Sequence, residues 1–447
     1  MRTKRALVAA ITLATAALTL SAGPSQAADA QHYFVSANGS DGNSGTDARH
    51  PFRTIQAAAD RTLPGDTVYI MDGTYSESVP KSDVVVITRS GAPGAPITYR
   101  NYPGARPVIH PITGWEGILV SNASHLTFSG LTIQGNNKNL NLADAEKNAS
   151  RDEPTYNTNC LFVRGTDGAH PSHITVRDND VSDCAGGGIA FKNNGDHITI
   201  DRNRVHGNAW YSVYANSGIT ALTPTDTDPS DTGYKIRITN NVAYDNEAKV
   251  KWAACDCYSD GNGIIIDSTL HEDDDLPAYT GRTLIANNVA YNNGGSGIHA
   301  FSSSHVDIVN NTAYLNSRSP HLNYANIYAA YSDDVRLLNN VSYAREGKAT
   351  NSTNRNTASV VYDYNVYFNG TTPAVQGPHD VIADPQFSKA TVDPRTADFR
   401  PRAGSPAIDT GVAFDAVPRD VRGFPRPLGG GTDRGAYEIL PFGTASE

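Results

Sequence analysis

Cysteine is scarce in this 447-residue chain, with four residues at positions 160, 184, 255 and 257. That is too few for a fold held together by disulfides, although an exported chain permits them. Cys160 and Cys184 can pair, or either can pair with Cys255 or Cys257, and the sequence does not choose. The Cys255-Asp256-Cys257 run has no second Cys or His pair at zinc-site spacing, which disfavours a tetrahedral zinc centre. Positive charge is also the minority, 36 Lys and Arg against 46 Asp and Glu for a net charge of −10. That balance argues against nucleic acid as a partner. No apolar run reaches the ~20 residues that a membrane-spanning helix needs. The longest, residues 6–20, follows Arg2, Lys4 and Arg5 and precedes Ser25-Gln26-Ala27. This is the pattern of a secretory signal cleaved after about Ala27. It predicts a secreted, extracellular protein with no membrane segment after cleavage, and a mature charge of −13. Helical periodicity is nearly absent, and RTIQAAADRT at 53–62 is the one convincing amphipathic helix.

What fills the chain instead is a repeat. The segments HITVRDNDVSD (173–183), HITIDRNRVHGN (197–208), IRITNNVAYDN (236–246), TLIANNVAYNN (283–293), VDIVNNTAYLN (306–316) and VRLLNNVSY (335–343) share one template. It is a β-branched strand with alternating apolar residues, an Asn, and a second short strand. Strands of another kind lie between: GIAF (188–191), GIT (218–220), GIIID (263–267), GIHAF (297–301) and NIYAA (326–330). The central Asn recurs at 179, 203, 241, 288, 311, 340 and 365, at intervals of 24, 38, 47, 23, 29 and 25 residues. A basal period of about two dozen residues, short strands and no helical pattern predict an all-β chain folded as a parallel β-helix solenoid. The repeated Asn then stacks at one corner as a hydrogen-bonded ladder, a structural role. About 420 mature residues would otherwise suggest two or three domains, but the repeat overrides that expectation. The expected organisation is a signal peptide at 1–27, an N-terminal cap and first coils at 28–115, the β-helix with its groove at 116–383, and an irregular C-terminal cap at 384–447. The short helix at 53–62 covers the open first coil.

The opening YFVSANGSDGNSGT…PFRTIQAAADR…PGDTVYIMDGTY, the repeats, and the tail SPAIDTG…RGFPRPLGGGTDRGAYE resemble the secreted right-handed parallel β-helix proteins of the pectate lyase superfamily. Within it, YSDGNGIIID, GRTLIANNVAYNNGGSGIHAF and VDIVNNTAYLNS are most similar to the alginate-lyase-like group of polysaccharide lyase family 31. That resemblance implies β-elimination on an acidic polysaccharide, alginate ahead of pectate, with a Lys and a Tyr moving protons and an Arg neutralising the uronate carboxylate. The family 9 pectate lyases fit less well, because their Asp-Asp-Gly-Trp-Asp calcium cluster is missing. The polygalacturonases fit less well too, for want of Gly-His-Gly and Arg-Ile-Lys.

β-Elimination needs a neutralised carboxylate, a base for the alpha proton and an acid for the leaving oxygen. The stretch KVKWAACDCYSDGNGIIID, residues 249–267, interrupts the repeat and supplies candidates. Lys251 is the expected base, beside Trp252 as a sugar-stacking surface, with Lys249 next to it binding substrate. Tyr214 is the expected proton donor, with Tyr211 as its alternate. The carboxylate-neutralising role is open between His271 and Arg282. Asp260 and Asp267 are assigned to substrate binding. As a hydrolase pair they look too far apart, since a straight seven-residue strand spans ~23 Å against the roughly 5–9.5 Å of glycosidase pairs. The HEDDD run at 271–275 leaves calcium open, and no other metal is indicated. A polyanionic substrate predicts a local positive strip around Lys249, Lys251 and Arg282, with Lys192 and Arg204 as further members. The alternatives are a glycoside hydrolase on the same scaffold and a non-catalytic glycan-binding β-helix. A monomer is the expected state, because a solenoid closes its own core.

Overall fold

A computed structural model describes residues 30–228, 233–272 and 276–440. The expected signal at 1–27 and the acids at 273–275 lie outside the described residues. The chain winds into three parallel sheets. The first runs from His32–Val35 to Val361–Asp363 and the second from Thr74–Tyr75 to Val381–Ile382, each with 11 strands. The third runs from Val85–Ile87 to Ile327–Ala330 with 8 strands. One coil shows the order: Tyr234–Thr239 in the first sheet, Val242–Tyr244 in the second, Ile264–Asp267 in the third, then Arg282–Ala286 back in the first. The β-helix expected from the period is therefore the observed architecture.

The alternation of apolar residues creates this core. Ile198 and Ile200 pair in register with Ile236 and Ile238. These four and Ile285 are at most 1% exposed. Each such burial contributes about 1.5–3 kcal/mol, and stacking coils ~4.8 Å apart makes the buried column continuous. Between the first and second sheets the chain turns through a left-handed residue followed by Asn, as at Asn240 (φ 58°) before Asn241 and Asn287 (φ 57°) before Asn288. The ladder predicted from the repeat forms here. Asn203 bonds Asn241, Asn241 bonds Asn288 and Asn288 bonds Asn311, each through Nδ2 to the next Oδ1 at 3.0 Å. A second ladder, not foreseen, joins Asn208, Asn246, Asn293 and Asn316 at the far end of the second sheet. Its signal was present, an Asn five residues after each of Asn203, Asn241, Asn288 and Asn311.

The predicted capping helix is shorter than expected, Ile55–Ala59, capped by Thr54. Its Gln56 side chain exchanges hydrogen bonds with the backbone of Val86, satisfying the edge of the third sheet. A helix missed in the sequence, Leu142–Asn148, sits in an insertion. The segment from 384 carries one antiparallel pair, Phe387–Lys389 with Asp398–Pro401. It lies along the solenoid's side: Phe387 and Phe399 pack with Tyr244, Tyr291 and Tyr314 of the second sheet, and Val417 packs with Leu284 and Ala286 of the first. The third sheet receives no such cover in these clusters, and its outer face carries the site.

Candidate active site

Inward residues of the third sheet, such as Ile189, Ile219, Ile264 and Ile298, are fully buried. Period two therefore sends their neighbours outward. Register aligns these outward residues into two columns. One reads Phe162, Ala190, Thr220, Ile265, His299 and Tyr328; the other reads Arg164, Lys192, Leu222, Asp267, Phe301 and Ala330. Long loops entering these strands stack into a wall along one side, and the result is a trough along the solenoid axis. Toward its N-terminal end lies a cavity of about 590 Å³ whose lining includes Trp115, Glu116, Arg164, Lys192, Tyr214 and Asn216.

Arg164 and Lys192 face each other in register across adjacent strands and are exposed. Neither has a carboxylate within ion-pair distance among the described residues. Glu116, the nearest acid along the floor, is buried and paired across strands with Asp83, whose carboxylate accepts from the Glu116 backbone N–H at 3.0 Å. Burial, with Asp83 beside it, raises the Glu116 carboxyl far above the usual range against the opposing pull of the Arg164 charge, which favours its neutral form.

Three coils further on, a second group gathers. Asp267 ends its strand on the trough face, and burial raises its carboxyl to about 6 against a hydrogen bond from Ser268. Asp260 is raised to about 7 by burial and then by the charge of Asp267. Its Oδ1 accepts from Ser217 at 3.2 Å and from Asn262 at 2.9 Å, and its Oδ2 accepts from Ser259 at 2.9 Å. The charge of Asp267 thus reaches Asp260, which the straight-strand estimate did not anticipate; Asp260 precedes the strand in a left-handed turn (φ 62°). His299, 3% exposed, stacks on Tyr328 at 4.7 Å, and Nδ1 lies 2.6 Å from Ser296 Oγ. Burial pushes its imidazole down to about 3.

The sequence-predicted residues distribute unevenly around this trough. Lys251 lies on an exposed loop, its amine 3.2 Å from both oxygens of Asp256. Lys249 lies over the Trp210 ring at 3.3 Å, and burial there lowers its amine. Trp252 is half-buried and bridges to Cys257 through the backbone. Tyr214 does line the cavity, with its hydroxyl donating to the Arg151 carbonyl at 2.8 Å. Tyr211 is 5% exposed and packs with Ala145 and Val250 as a core residue of the wall. The carboxylate-neutralising expectations require correction. Arg282 stands on the first sheet, held by Asp307 at 2.7 Å and Asp334 at 2.7 Å. His271 is buried with Nε2 donating to the Pro224 carbonyl at 2.9 Å. Arg204 belongs to the second sheet. Of the expected positive strip, Lys192 is the member on the trough, joined by Arg164, which the sequence reading missed. The signal was positional: Arg164, Lys192, Leu222 and Asp267 end successive third-sheet strands. His299 was missed for the same reason, as the outward residue of GIHAF.

The disulfides left open by the sequence are Cys160–Cys184 and Cys255–Cys257. A calcium ion takes six to eight oxygen ligands; both oxygens of Asp260 are already bonded to protein donors. Of the HEDDD run, Glu272 accepts from Ser302 at 3.1 Å. Among the described residues the one metal-like cluster is Asp196, His197 and Asp228, at the corner joining the third sheet to the first. The Lys235 amine sits among these acids, 3.1 Å from Asp196 and 3.4 Å from Asp228.

A sequence model of the family described as Pel9A-like, right handed beta helix region, matches residues 33–340. The uncharacterized protein YwoF of Bacillus subtilis is 33% identical over 162 residues, 34% of this chain and 28% of that protein. Pectate lyase PEL9 of Emericella nidulans is 42% identical over 77 residues, 17% of each. This chain thus spans well under half the length of either relative. Among solved structures, that of pectate lyase Pel9A matches with a TM-score of 0.47 at 17% identity, over 91% of this chain and 96% of that one. The expected right-handed β-helix family is thus shown, and the finer likeness to family 31 is not carried by these matches.

Proposed function

Because the chain belongs to the Pel9A-like right-handed β-helix family, we propose that it is a polysaccharide lyase, cleaving a uronate polymer by β-elimination in the trough of the third sheet. The observation that supports this most is the pair Arg164 and Lys192. In a chain of net charge −10, two cations stand in register with no carboxylate within ion-pair distance among the described residues. At ~4.8 Å they repel by roughly 0.8 kcal/mol even at the dielectric of water. Carboxylates of successive sugar units relieve that repulsion, whereas a neutral glycan leaves it in place. Burial raises the neighbouring Glu116 carboxyl, which lessens its repulsion of a polyanion. The raised carboxyl of Asp267, on the outward face, supplies a donor where a leaving oxygen needs a proton. The name of the Emericella relative puts polygalacturonate first among polymers to test, and the alginate-lyase-like motifs put alginate second. Export by the N-terminal signal and action as a monomer belong to the same proposal.

A glycoside hydrolase is the second reading, and one observation favours it: Asp260 and Asp267 are both raised by burial, and the charge of Asp267 raises Asp260 further, as an acid and its partner require. Ultraviolet absorbance of unsaturated uronide ends separates the two. The protein is incubated with polygalacturonate and with alginate, with and without calcium. Growing absorbance supports the lyase. Arg164→Ala and Lys192→Ala should each raise KM about tenfold or more, since a hydrogen bond to a charged group contributes about 1.5–3 kcal/mol. New reducing ends without absorbance would instead establish hydrolysis.

A further inference from the structure

We propose that His299 is the proton acceptor of the trough, and that Ser296 and Asn262 are positioning residues that hold its imidazole in the tautomer with a bare Nε2. This rests on the lyase reading for its reaction, but the tautomer follows from the hydrogen bonds alone. The Ser296 backbone N–H, which can only donate, points at Asn262 Oδ1 at 2.9 Å and so fixes which end of that amide is oxygen. Ser296 Oγ lies 3.0 Å from the same oxygen and must donate to it. A serine hydroxyl has one proton, and that proton is now committed. At 2.6 Å, Ser296 Oγ can therefore only accept from His299, and Nδ1 carries the hydrogen. The opposite tautomer would set two lone-pair oxygens 3.0 Å apart with no proton between them.

The far side of Asn262 is equally determined. Its Nδ2 donates to Asp260 Oδ1 at 2.9 Å and to Ser217 Oγ at 3.0 Å. Asn262 and Ser296 are both fully buried, so neither can rotate to satisfy itself with water. The chain His299–Ser296–Asn262–Asp260 is thus a directed relay of donors ending on a carboxylate. Tyr328 covers one ring face of His299. Among the described residues no hydrogen bond reaches Nε2, and His299 lies on the outward face of the third sheet with 3% of its surface exposed.

Asp267 stands on the adjacent strand, two residues beyond the register partner of His299 and on the same face. Diagonal neighbours of this kind lie roughly 7–8 Å apart, room for one sugar ring between them. In the step, Nε2 takes the proton alpha to the uronate carboxylate. The C–H electron pair becomes the C4–C5 double bond, the C4–O4 bond breaks, and O4 takes a proton from Asp267. The imidazolium and carboxylate left behind exchange protons with water to complete the cycle. Burial keeps the free imidazole neutral, and the bound carboxylate supplies the opposite charge that favours its protonation.

The test is nitrogen-15 NMR of the full chain labelled at histidine, with the His299 signals identified by their loss in His299→Gln, alongside turnover of polygalacturonate and alginate. The expected result is a protonated Nδ1 and a bare Nε2 in the wild type, and a population of the other tautomer in Ser296→Ala. His299→Gln should lose at least about a hundredfold in kcat, the scale of a missing general base, while binding polymer normally. Ser296→Ala should lower kcat with KM unchanged. A protonated Nε2 in the wild type overturns the proposal whatever the activity. A bare Nε2 with full lyase activity in His299→Gln overturns the base role and leaves the lyase reading standing. Absence of unsaturated product from the wild type on either polymer overturns the lyase reading, and the base role with it.

Discussion

Replacing Asn288 by Ala should cost the β-helix a large part of its stability, because this side chain sits mid-ladder with no exposed surface. Its Oδ1 accepts from the Asn241 backbone N–H at 2.9 Å and from Asn241 Nδ2 at 3.0 Å. Its Nδ2 donates to the Ile238 carbonyl at 2.8 Å and to Asn311 Oδ1 at 3.0 Å. Alanine leaves two buried donors on Asn241 without that acceptor, each costing about 1–3 kcal/mol, so the expected loss is about 2–6 kcal/mol. Domain stabilities are typically about 5–15 kcal/mol, so the change should be visible as a large drop in the urea midpoint at unchanged slope. Asn288→Asp tests the donors separately: it keeps the acceptor but removes both Nδ2 bonds and introduces a buried charge. A loss below about 1 kcal/mol for Asn288→Ala would refute the assignment of the ladder as a principal stabiliser of the coil corners.

Three further outcomes are expected. Lys251→Ala should keep activity within about twofold, since its amine is paired with Asp256 on an exposed loop, whereas Lys249→Met should cost about 0.5–2 kcal/mol of stability by removing the cation over Trp210; loss of turnover in Lys251→Ala would return the base role to that lysine. Mild reductant followed by alkylation and mass spectrometry should label Cys255 and Cys257, which are exposed, and spare Cys160 and Cys184, which are fully buried; four labels on the folded chain would contradict the burial. Between pH about 4 and about 6 the native Asp267 keeps a proton that the unfolded chain has lost. Its contribution to stability is therefore fully present below about pH 4 and falls as pH rises, so the melting temperature of the wild type relative to Asp267→Asn should decline across that window. A difference that is flat or rises would mean the carboxyl is not raised.

The architecture was legible because it is written locally and many times over. Alternating apolar residues and an Asn every two dozen positions specify the strand, the corner and the ladder from short-range spacing alone, and the observed pairs Asn203–Asn241 and Asn241–Asn288 are those the alignment brought together. The capping helix was legible from its local apolar periodicity, whereas its Thr54 cap and shorter span came from the structure. The site was not, because a solenoid brings residues together across coils and not along the chain. Lys251 and Trp252 are adjacent in sequence to the acids of 249–267, yet the long loop carries Lys251 out to Asp256. Arg282 follows the third-sheet strand in sequence, yet one turn of the chain puts it on another sheet beside Asp307. Arg164 and Lys192 are 28 residues apart and become neighbours when their strands pair; His299 joins Asp260 only through side chains from two coils. Sequence by itself determined the period, the inward face and the corner chemistry, since these depend on φ/ψ preference and hydrophobic alternation. Tertiary structure alone decided which outward residues share the trough, because that depends on loop lengths between coils and on which face the C-terminal segment covers.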